Sequence, residues 1–402
     1  MQNNRKRMGL LAIVGCTMLI CSVSGMGTNC KGIFYEPMAL SMQLSMSKVT
    51  FVSTLYGITA ALSVPICCSI YRKVPSKMFL PAMVFLFCLS GFMTGNARTI
   101  TQVYIWGAIQ GIPGGFIVFY PVQYIIGNWF PEKKGSVLGL VLMSTGVAGM
   151  IFNPVAAGWI EKFGWQWAHK AQAIIILAVA LPAALFLLYK SPEEAGFAPT
   201  QTGAGSEGAL QSGETQQRTS RFTVIKLFLM VIMICGSYGI VQHLPKYASD
   251  LGKTATFGAL LVSMSMAGNL TGKALFGAAN DKFGAKAMTI FSALCVCLGI
   301  LVVIFCKVNA LLMAGSFLMG IVLVMISLQV PLLFRDFCDP KTYEKVYPLT
   351  CSANVALCAV SQNFISVQYQ QAGGYEKVFT FYGAAMIGLC LILLTIGRKK
   401  KI

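Results

Sequence analysis

The sequence predicts an all-α membrane protein whose twelve transmembrane helices form two six-helix bundles. Three observations predict this fold class. Of the 402 residues, 56% are hydrophobic and only 11% are charged. Long apolar runs recur along the chain, and one polar stretch divides them into two sets of six. Because a soluble domain carries roughly a quarter of charged residues, this composition excludes an ordinary soluble enzyme and a secreted disulfide scaffold.

Each apolar run is long enough to cross a bilayer, for which a helix needs roughly 20 residues. The runs of the first half are 8–34, 49–71, 78–96, 100–130, 136–160 and 168–189. Those of the second half are 222–244, 254–279, 287–306, 310–334, 347–369 and 378–396. Residues 1–190 are therefore predicted to form the N-terminal bundle and residues 222–402 the C-terminal bundle, joined by a flexible linker, 191–221, rich in Gly, Ser, Thr and Gln.

Basic residues are distributed unevenly between the two sides of the membrane. An even number of spans places both termini on one side, and 21 of the 31 Lys and Arg residues fall in segments on that side. The positive-inside rule then predicts cytoplasmic termini and an integral protein of the cell (inner) membrane. The net charge of +18 reflects this topology and attraction to the lipid bilayer, and we expect no nucleic acid partner because the cations lie in short gaps between spans.

Candidate catalytic and metal-ligating side chains are sparse. The two histidines, His169 and His243, have no partners that would make a metal pair. Nearly all of the fourteen cysteines lie in apolar spans, where a thiol acts as a small apolar filler. We therefore expect no enzyme activity, no cofactor and no metal. A membrane sensor would need an added signalling domain, whereas repeated halves around a central site are typical of a transporter.

One loop motif resembles a known family. The sequence from Gly277 through Asp281, Lys282 and Gly284 to Lys286 is similar to the loop of the major facilitator superfamily that latches one bundle to the other. The resemblance implies the major facilitator fold and a gating role for these five residues.

Three further segments resemble one branch of that family, the monocarboxylate and oxalate/formate transporters. They are Lys31 to Phe51, Ser191 to Pro199, and Asn128 to Gly135, the last of which includes Lys133 and Lys134. Gly164-Trp165-Gln166-Trp167 fits the same branch. The resemblance adds Lys133 and Lys134 to the expected gating residues and implies a small carboxylate as substrate.

Lys273 is the most informative single residue. A lysine in the centre of a span costs about 2.5–3.5 kcal/mol on insertion scales, so it normally faces a cavity or a partner. The alternative is that its stem carries the ammonium to the membrane surface. Asn269-Leu-Thr-Gly-Lys273 falls where the branch has a substrate-binding Arg, which implies that Lys273 attracts the carboxylate of the substrate.

None of the predicted spans has an Asp or Glu in its middle. Some proton-coupled members of the branch have an Asp one turn before their Arg, and this chain has Asn269 there. An amide cannot relay a proton as a carboxylate can, which favours exchange or facilitated movement. Asn354 falls where oxalate-type members carry a second cation, which implies a singly charged or bulkier substrate; the alternative for Asn354 is hydrogen bonding between helices.

Other polar and aromatic residues within the spans are candidate contacts of an anion with an apolar tail. They are Tyr238, Gln242, Gln329, Tyr56, Tyr120, Tyr124 and, at the outer end of the first span, Lys31.

We therefore expect a secondary active transporter, monomeric in the bilayer, that moves a small organic anion of monocarboxylate type by alternating access. Two alternatives stay open: a proton-coupled carboxylate symporter, with protons as a further partner, and an exporter of amphipathic organic anions or drugs.

Overall fold

The computed structural model describes residues 2–130, 134–197 and 219–396. Within these ranges the chain is helical and no strand occurs. The helices of the first half are α1 (Gln2–Ile20), α2 (Gly32–Met42), α3 (Met46–Lys73), α4 (Ser76–Thr94), α5 (Ile100–Phe119), α6 (Pro121–Trp129) and α7 (Lys134–Pro182), with π-helical segments at Cys21–Thr28 and Ala183–Leu187.

The second half repeats this arrangement of long helices broken by short irregular turns. Its helices are α8 (Arg221–Gly236), α9 (Gly239–Gln242), α10 (Leu244–Asp250), α11 (Ala255–Phe283), α12 (Ala285–Phe305), α13 (Asn309–Met319), α14 (Ile321–Val324), α15 (Val330–Phe337), α16 (Pro340–Ala372) and α17 (Tyr375–Thr395), with a π-helical segment at Met325–Gln329.

The helix ends follow local sequence signals. The hydroxyl of Thr99 accepts a hydrogen bond from the N–H of Gln102 at the start of α5, and Thr254 caps α11 in the same way. Such caps satisfy N–H groups that lack a partner within the helix. α16 ends at Gly373, whose φ of 74° is the left-handed conformation that glycine adopts without strain.

The number of membrane crossings agrees with the sequence prediction. Nine described segments are helical, long and apolar enough to cross a membrane. The longest, Val137–Leu187, has 51 residues and crosses twice, since Gly164 turns the chain at φ 82°. α11 and α16, with 29 and 33 residues, are also long enough to cross. The predicted all-α fold of twelve transmembrane helices is thus confirmed.

The end predicted for the first span is wrong. The sequence places it at residue 34 with Lys31 at its outer end, whereas the apolar helical segment runs from Arg7 to Met42 and the turn to α3 comprises only residues 43–45. The charged residues that suggested a loop have partners inside the protein: Lys31 lies over the ring of Tyr56 and Glu36 pairs with Lys246. Because these contacts compensate the charges, the apolar segment continues past Lys31 and through α2.

The two halves meet along two long helix pairs. At the first, α3 and α16 approach so closely that a Cβ at Gly57 would lie 2.1 Å from Cβ of Ala359. At the second, α7 packs on α11, where a Cβ at Gly146 would lie 3.1 Å from Cβ of Leu270. Small residues at such crossings allow helices in a membrane to pack tightly. We call the end of the bundles where residues 191–197 lie the linker face, and the opposite end the far face.

Candidate functional site

An ion pair and a hydrogen bond connect the halves at the far face. Nζ of Lys246 lies 3.0 Å from Oε1 of Glu36 and 2.7 Å from Oδ1 of Asp250. The hydroxyl of Ser249 also donates to Oε1 of Glu36, at 2.7 Å. Desolvation opposes the charge, but the bonds to Asp250 and Glu36 outweigh it and raise the pKa of Lys246 above its ordinary value. The pair therefore holds α2 against α10.

Neutral hydrogen bonds extend this contact along α3 and α16. Oγ of Ser47 donates to Oε1 of Gln370 at 3.0 Å, and Oγ1 of Thr50 donates to Oγ of Ser366 at 2.9 Å. Deeper in the molecule, the hydroxyl of Tyr35 donates to Oε1 of Gln362. We call these inter-half contacts, together with the Glu36–Lys246 pair, the far-face seam.

The deepest contact of the far-face seam joins α2 to α9. The backbone N–H of Gly32 donates to Oε1 of Gln242 at 2.9 Å, and Nε2 of Gln242 donates to the hydroxyl of Tyr238 at 3.3 Å. Ten hydrogen bonds between the halves lie at this end of the molecule. The far face is therefore closed.

Lys273 lies on the face of α11 that meets the other half. Met266, seven residues earlier, packs against the position of Gly149 in α7, and positions seven apart share a helix face. Lys273 is half-buried, and within the described residues it makes no hydrogen bond or ion pair. Since it follows Ala255 by eighteen residues, it lies roughly 27 Å from the far-face end of α11. Lys273 is thus a cation in the interior without a described counter-charge.

Lys31 is a second interior cation, supplied by the other half. Its Nζ lies 3.3 Å from the centroid of the Tyr56 ring, close enough for a strong cation–π contact. Tyr56 follows Met46 by ten residues, which places Lys31 roughly 15 Å from the far-face end of α3. Lys31 and Lys273 therefore lie at different depths, roughly 12 Å apart along the membrane normal.

Two adjoining cavities of about 30 and 50 Å³ lie beside Lys31 within the N-terminal bundle. His169, Gln172 and Gln110 supply polar groups to their walls, and Phe34 stacks on His169 with a centroid distance of 4.0 Å. Sequence reasoning missed this lining. The available signal is the spacing of His169, Gln172 and Ile176, which puts them on one face of the sixth span.

The amides predicted as substrate contacts lie in different surroundings. Asn269 is 3% exposed and its Oδ1 has no hydrogen-bond partner, one turn before Lys273. Oδ1 of Asn354 accepts a bond from Sγ of Cys235 at 3.1 Å. Gln329 is fully buried, with Oε1 3.5 Å from Oγ1 of Thr289 and Nε2 unpartnered. Asn269 is the amide that shares the helix of the interior lysine.

Tyr120 and Tyr124 belong to an aromatic cluster of the N-terminal bundle. Their rings stack with centroids 5.4 Å apart, and both contact Tyr71 edge-on. Nε of Arg72 donates to the hydroxyl of Tyr120 at 2.7 Å. This cluster places the two tyrosines near the linker-face end of α3, whereas Tyr238 and Tyr56 lie nearer the far-face seam.

The predicted gating residues lie at the linker-face end of α11 and beyond. Gly284 turns the chain at φ 82°, Lys282 is exposed, and Nζ of Lys286 donates to the carbonyl of Ile396 in its own half at 2.7 Å. Gly277 lies within α11. Lys133 and the side chains of Asp281 and Lys134 lie outside the described residues.

Two other motifs are in mutual contact at the linker face. Nε1 of Trp129 donates to the carbonyl of Tyr189, and Nδ2 of Asn128 donates to that of Lys190, both at 2.9 Å. Glu194 then accepts bonds from the N–H and hydroxyl of Ser76, each at 2.7 Å. The first residues of the predicted linker are therefore attached to the N-terminal bundle, while residues 198–218 lie outside the described ranges.

Solved structures of other transporters have the same fold. The nucleoside transporter NupG superposes with a TM-score of 0.74 over 96% of this chain and 99% of its own, at 12% identity. The peptide transporter POT gives a TM-score of 0.68 over 96% of this chain and 93% of its own, at 14% identity.

Sequence relatives are membrane transporters of several kinds. Monocarboxylate transporter 12-B of Danio rerio is 22% identical over 68% of this chain and 62% of its own length. The multidrug export protein EmrB of Haemophilus influenzae is 30% identical over 34% of this chain and 27% of its length. The transporter pytF of Aspergillus terreus is 26% identical over 53% of this chain and 68% of its length. These matches thus span between a quarter and about two thirds of the relatives.

A family model covers most of the chain, residues 17–347, and its description is Major Facilitator Superfamily. The match spans most of the helical fold and identifies a family of membrane transporters rather than of enzymes. The chain belongs to the Major Facilitator Superfamily.

Proposed function

We propose that this transporter moves a small organic anion of monocarboxylate type across the membrane by alternating access. The observation that carries the proposal is the position of Lys273. An ammonium within the membrane is costly when no counter-charge is near it, and the structure describes none beside half-buried Lys273. The carboxylate of a substrate would provide that charge where the two halves meet. The similarity to monocarboxylate transporter 12-B supports this class of substrate.

Lys31 gives the path a second cation. An anion that enters from the linker face would reach Lys273 first and the neighbourhood of Lys31 and Tyr56 next, roughly 12 Å deeper. The two lysines come from different halves, so an anion that moves from one to the other would bind with a different affinity in each conformation. Such differential affinity is what allows a ligand to shift the equilibrium between conformations.

The mode of transport that we propose is exchange or facilitated movement. Asn269, one turn before Lys273, carries an amide that cannot relay a proton. Glu36, the acid of the first span, is engaged by Lys246 and Ser249 at the far face. With this pairing, the substrate and not a carboxylate near Lys273 supplies the negative charge.

We further propose a monomer in the cell (inner) membrane with both termini cytoplasmic, so that the far face is the outer one.

Two other modes have support from particular observations. The carboxylate of Glu36 at the far-face seam favours a proton-coupled carboxylate symporter as the first alternative. The similarity to EmrB favours an exporter of amphipathic organic anions or drugs as the second, because the stacked rings of Tyr120 and Tyr124 would suit a substrate with a large apolar part.

Counterflow in proteoliposomes tests the proposal. Vesicles are loaded with one unlabelled carboxylate, and uptake of labelled lactate, formate, oxalate and larger acids is followed at equal internal and external pH. Uptake driven by the preloaded anion would support exchange and identify the substrate. Uptake only after a pH gradient is imposed would contradict exchange and favour symport. No uptake of these acids under either condition would favour the exporter of amphipathic anions.

A further inference from the structure

A buried imidazole lies directly behind the far-face seam. His243 joins α9 to α10 and its side chain is fully buried. Its Nδ1 lies 2.8 Å from the hydroxyl of Tyr375, and its Nε2 lies 2.8 Å from the carbonyl oxygen of Gln362. The interior lysines are elsewhere, so the proposed substrate path does not use this group.

The partners of the ring define its protonation state. The carbonyl of Gln362 can only accept a hydrogen bond, so Nε2 carries the proton, and Nδ1 then accepts from the hydroxyl of Tyr375. Both nitrogens of the neutral ring are thereby satisfied. A second proton on Nδ1 would face the oxygen of Tyr375, turn its hydroxyl hydrogen away and place an unpaired charge in the interior.

The N-terminal half covers the partners of His243. The side chain of Gln362 accepts from Tyr35, and Oγ of Ser366, which lies 3.5 Å from Nε2 of His243, accepts from Thr50. The residue before His243 is bound by the backbone of the other half as well. When the halves separate at the far face, these covering groups leave together and water reaches the surroundings of the imidazole.

The other titratable groups around His243 are aromatic hydroxyls or members of ion pairs. They are Tyr35 and Glu36 of α2, Lys246, Tyr247 and Asp250 of α10, Lys307 after α12, Tyr369 of α16, and Tyr375 and Glu376 of α17. Tyrosine and lysine do not titrate between pH 5.5 and pH 7.5 in their ordinary range. The carboxylates of Glu36 and Asp250 both bind Lys246, and neither carboxylate is described in contact with the imidazole.

We propose that His243 is a proton-binding site of the far face, which takes up its proton only when that face is open. Closing the seam requires neutral His243, so acid on this side favours the open conformation. The site is independent of which anion is carried and goes beyond the proposed function. One coupled proton changes the ratio of open to closed molecules by at most about tenfold per pH unit.

The test measures conformation and needs no substrate. Spin labels are placed at the exposed positions 48 and 371, in α3 and α16, of a transporter whose native cysteines are replaced. The distance between the labels is measured by electron–electron double resonance in proteoliposomes at pH 5.5 and pH 7.5. We expect the population with the long distance to grow at least threefold at pH 5.5. An unchanged distribution would overturn the proposal.

The chain offers a matched control, because it contains one other histidine. His243→Gln can still donate and accept hydrogen bonds but cannot become charged in this pH range, so its distance distribution is expected not to depend on pH. His169→Gln, within the N-terminal bundle, is expected to keep the acid response. An acid response retained in His243→Gln, or lost in His169→Gln, would contradict the assignment to His243.

A second variant keeps the test decisive if His243→Gln does not fold. Tyr375→Phe leaves Nδ1 of the neutral ring without a donor in the closed conformation, where no water replaces the lost hydroxyl, so the closed conformation becomes less favourable relative to the open one. The midpoint of the pH-dependent opening is then expected to move to higher pH. A midpoint equal to that of the wild type would overturn the proposal. Because anion transport does not enter these measurements, their failure would leave the proposed function unaffected.

Discussion

The backbone N–H of Gly32 donates a 2.9 Å hydrogen bond to Oε1 of Gln242, across the boundary between the two halves. This N–H is free to bond outside its helix because Gly32 is the first residue of α2, after the turn at residues 29–31. The approach is close enough to require glycine. A Cβ at this position would lie 2.4 Å from the carbonyl oxygen of Gln242.

Gly32→Ala should therefore prevent the far face from closing. Overpacking costs about 1–3 kcal/mol, and such a difference shifts an equilibrium between two conformations by about 5- to 150-fold. We expect the long-distance population between labels at positions 48 and 371 to dominate at neutral pH and counterflow to fall accordingly. Gly158→Ala is the control, since a Cβ at Gly158 meets nothing within 4 Å. Equal distances in Gly32→Ala and the wild type would contradict the prediction.

Lys273→Gln should abolish transport and leave folding and membrane insertion intact. The amide keeps much of the side-chain length but removes the charge that would bind the carboxylate. Counterflow and binding of the labelled anion are the measurements, with size-exclusion chromatography and thermal unfolding as tests of folding. Lys162→Gln, an exposed cation of the far-face turn, is expected to retain wild-type rates. A wild-type rate in Lys273→Gln would exclude this residue from the substrate site.

Tyr56 should act on the substrate through Lys31, as a positioning residue. A cation–π contact contributes about 0.5–2 kcal/mol, so Tyr56→Leu is expected to raise KM by about 2- to 30-fold with a smaller effect on kcat. Tyr56→Phe keeps the ring that contacts Nζ of Lys31 and is expected to restore KM. If Phe and Leu had equal effects, the hydroxyl rather than the ring face would be the functional group.

The fold was largely predictable, because a bilayer requires long apolar helices and these are visible as runs in the sequence. The two halves and the twelve crossings follow from such runs. The end of the first span was not predictable, because Lys31 and Glu36 look like loop residues until Tyr56 and Lys246 are seen beside them. Charge compensation between segments far apart in the chain leaves no local pattern.

The site was predictable only in part, for a similar reason. Lys273 stands out because a charge within a span is rare. The contacts of Gln362 with Tyr35 and of His243 with Tyr375 join residues more than 100 positions apart, and of these four residues only Tyr35 lies in a segment with a family resemblance. The packing of the bundles decides which polar residues of a helix face the other half. The sequence therefore does not show that Oδ1 of Asn269 and Nε2 of Gln329 are buried without hydrogen-bond partners.

Glu36→Gln should increase opening at the far face at both pH 5.5 and pH 7.5. The change removes the ion pair with Lys246, whose side chain, like that of Glu36, is about one fifth exposed, so solvent screens the pair only in part. We expect the ratio of open to closed molecules to rise at least about fivefold, the shift that 1 kcal/mol produces, with the labels at positions 48 and 371 as readout. Glu376→Gln is the control, because the exposed pair of Glu376 with Lys307 lies within one half. A larger effect from Glu376→Gln would refute this explanation.

Asp339 should stabilise the C-terminal half by capping α16 and holding the end of the linker. Its carboxylate accepts bonds from the N–H of Thr342 at 3.1 Å and from the N–H and hydroxyl of Thr219 at 3.0 and 2.5 Å. Loss of a cap costs about 0.5–2 kcal/mol, so Asp339→Ala is expected to lower the thermal unfolding midpoint measurably. Asp336→Ala is the control, since the Asp336 carboxylate pairs with exposed Arg335 at 3.4 Å, and such pairs contribute little.

The contribution of Asp339 should also depend on pH in a defined direction. Desolvation opposes the shift, but the hydrogen bonds from Thr219 and Thr342 outweigh it and lower the pKa of Asp339 well below its usual range. A carboxyl whose pKa is lower in the folded state stabilises the fold above its unfolded pKa, about 3.9, and loses this effect as pH falls toward the folded pKa. Asp339→Asn keeps the cap but not the charge. The difference in unfolding midpoint between wild type and Asp339→Asn should therefore be constant from pH 5 to pH 8 and shrink below pH 4, and a difference that grows in acid would contradict this origin.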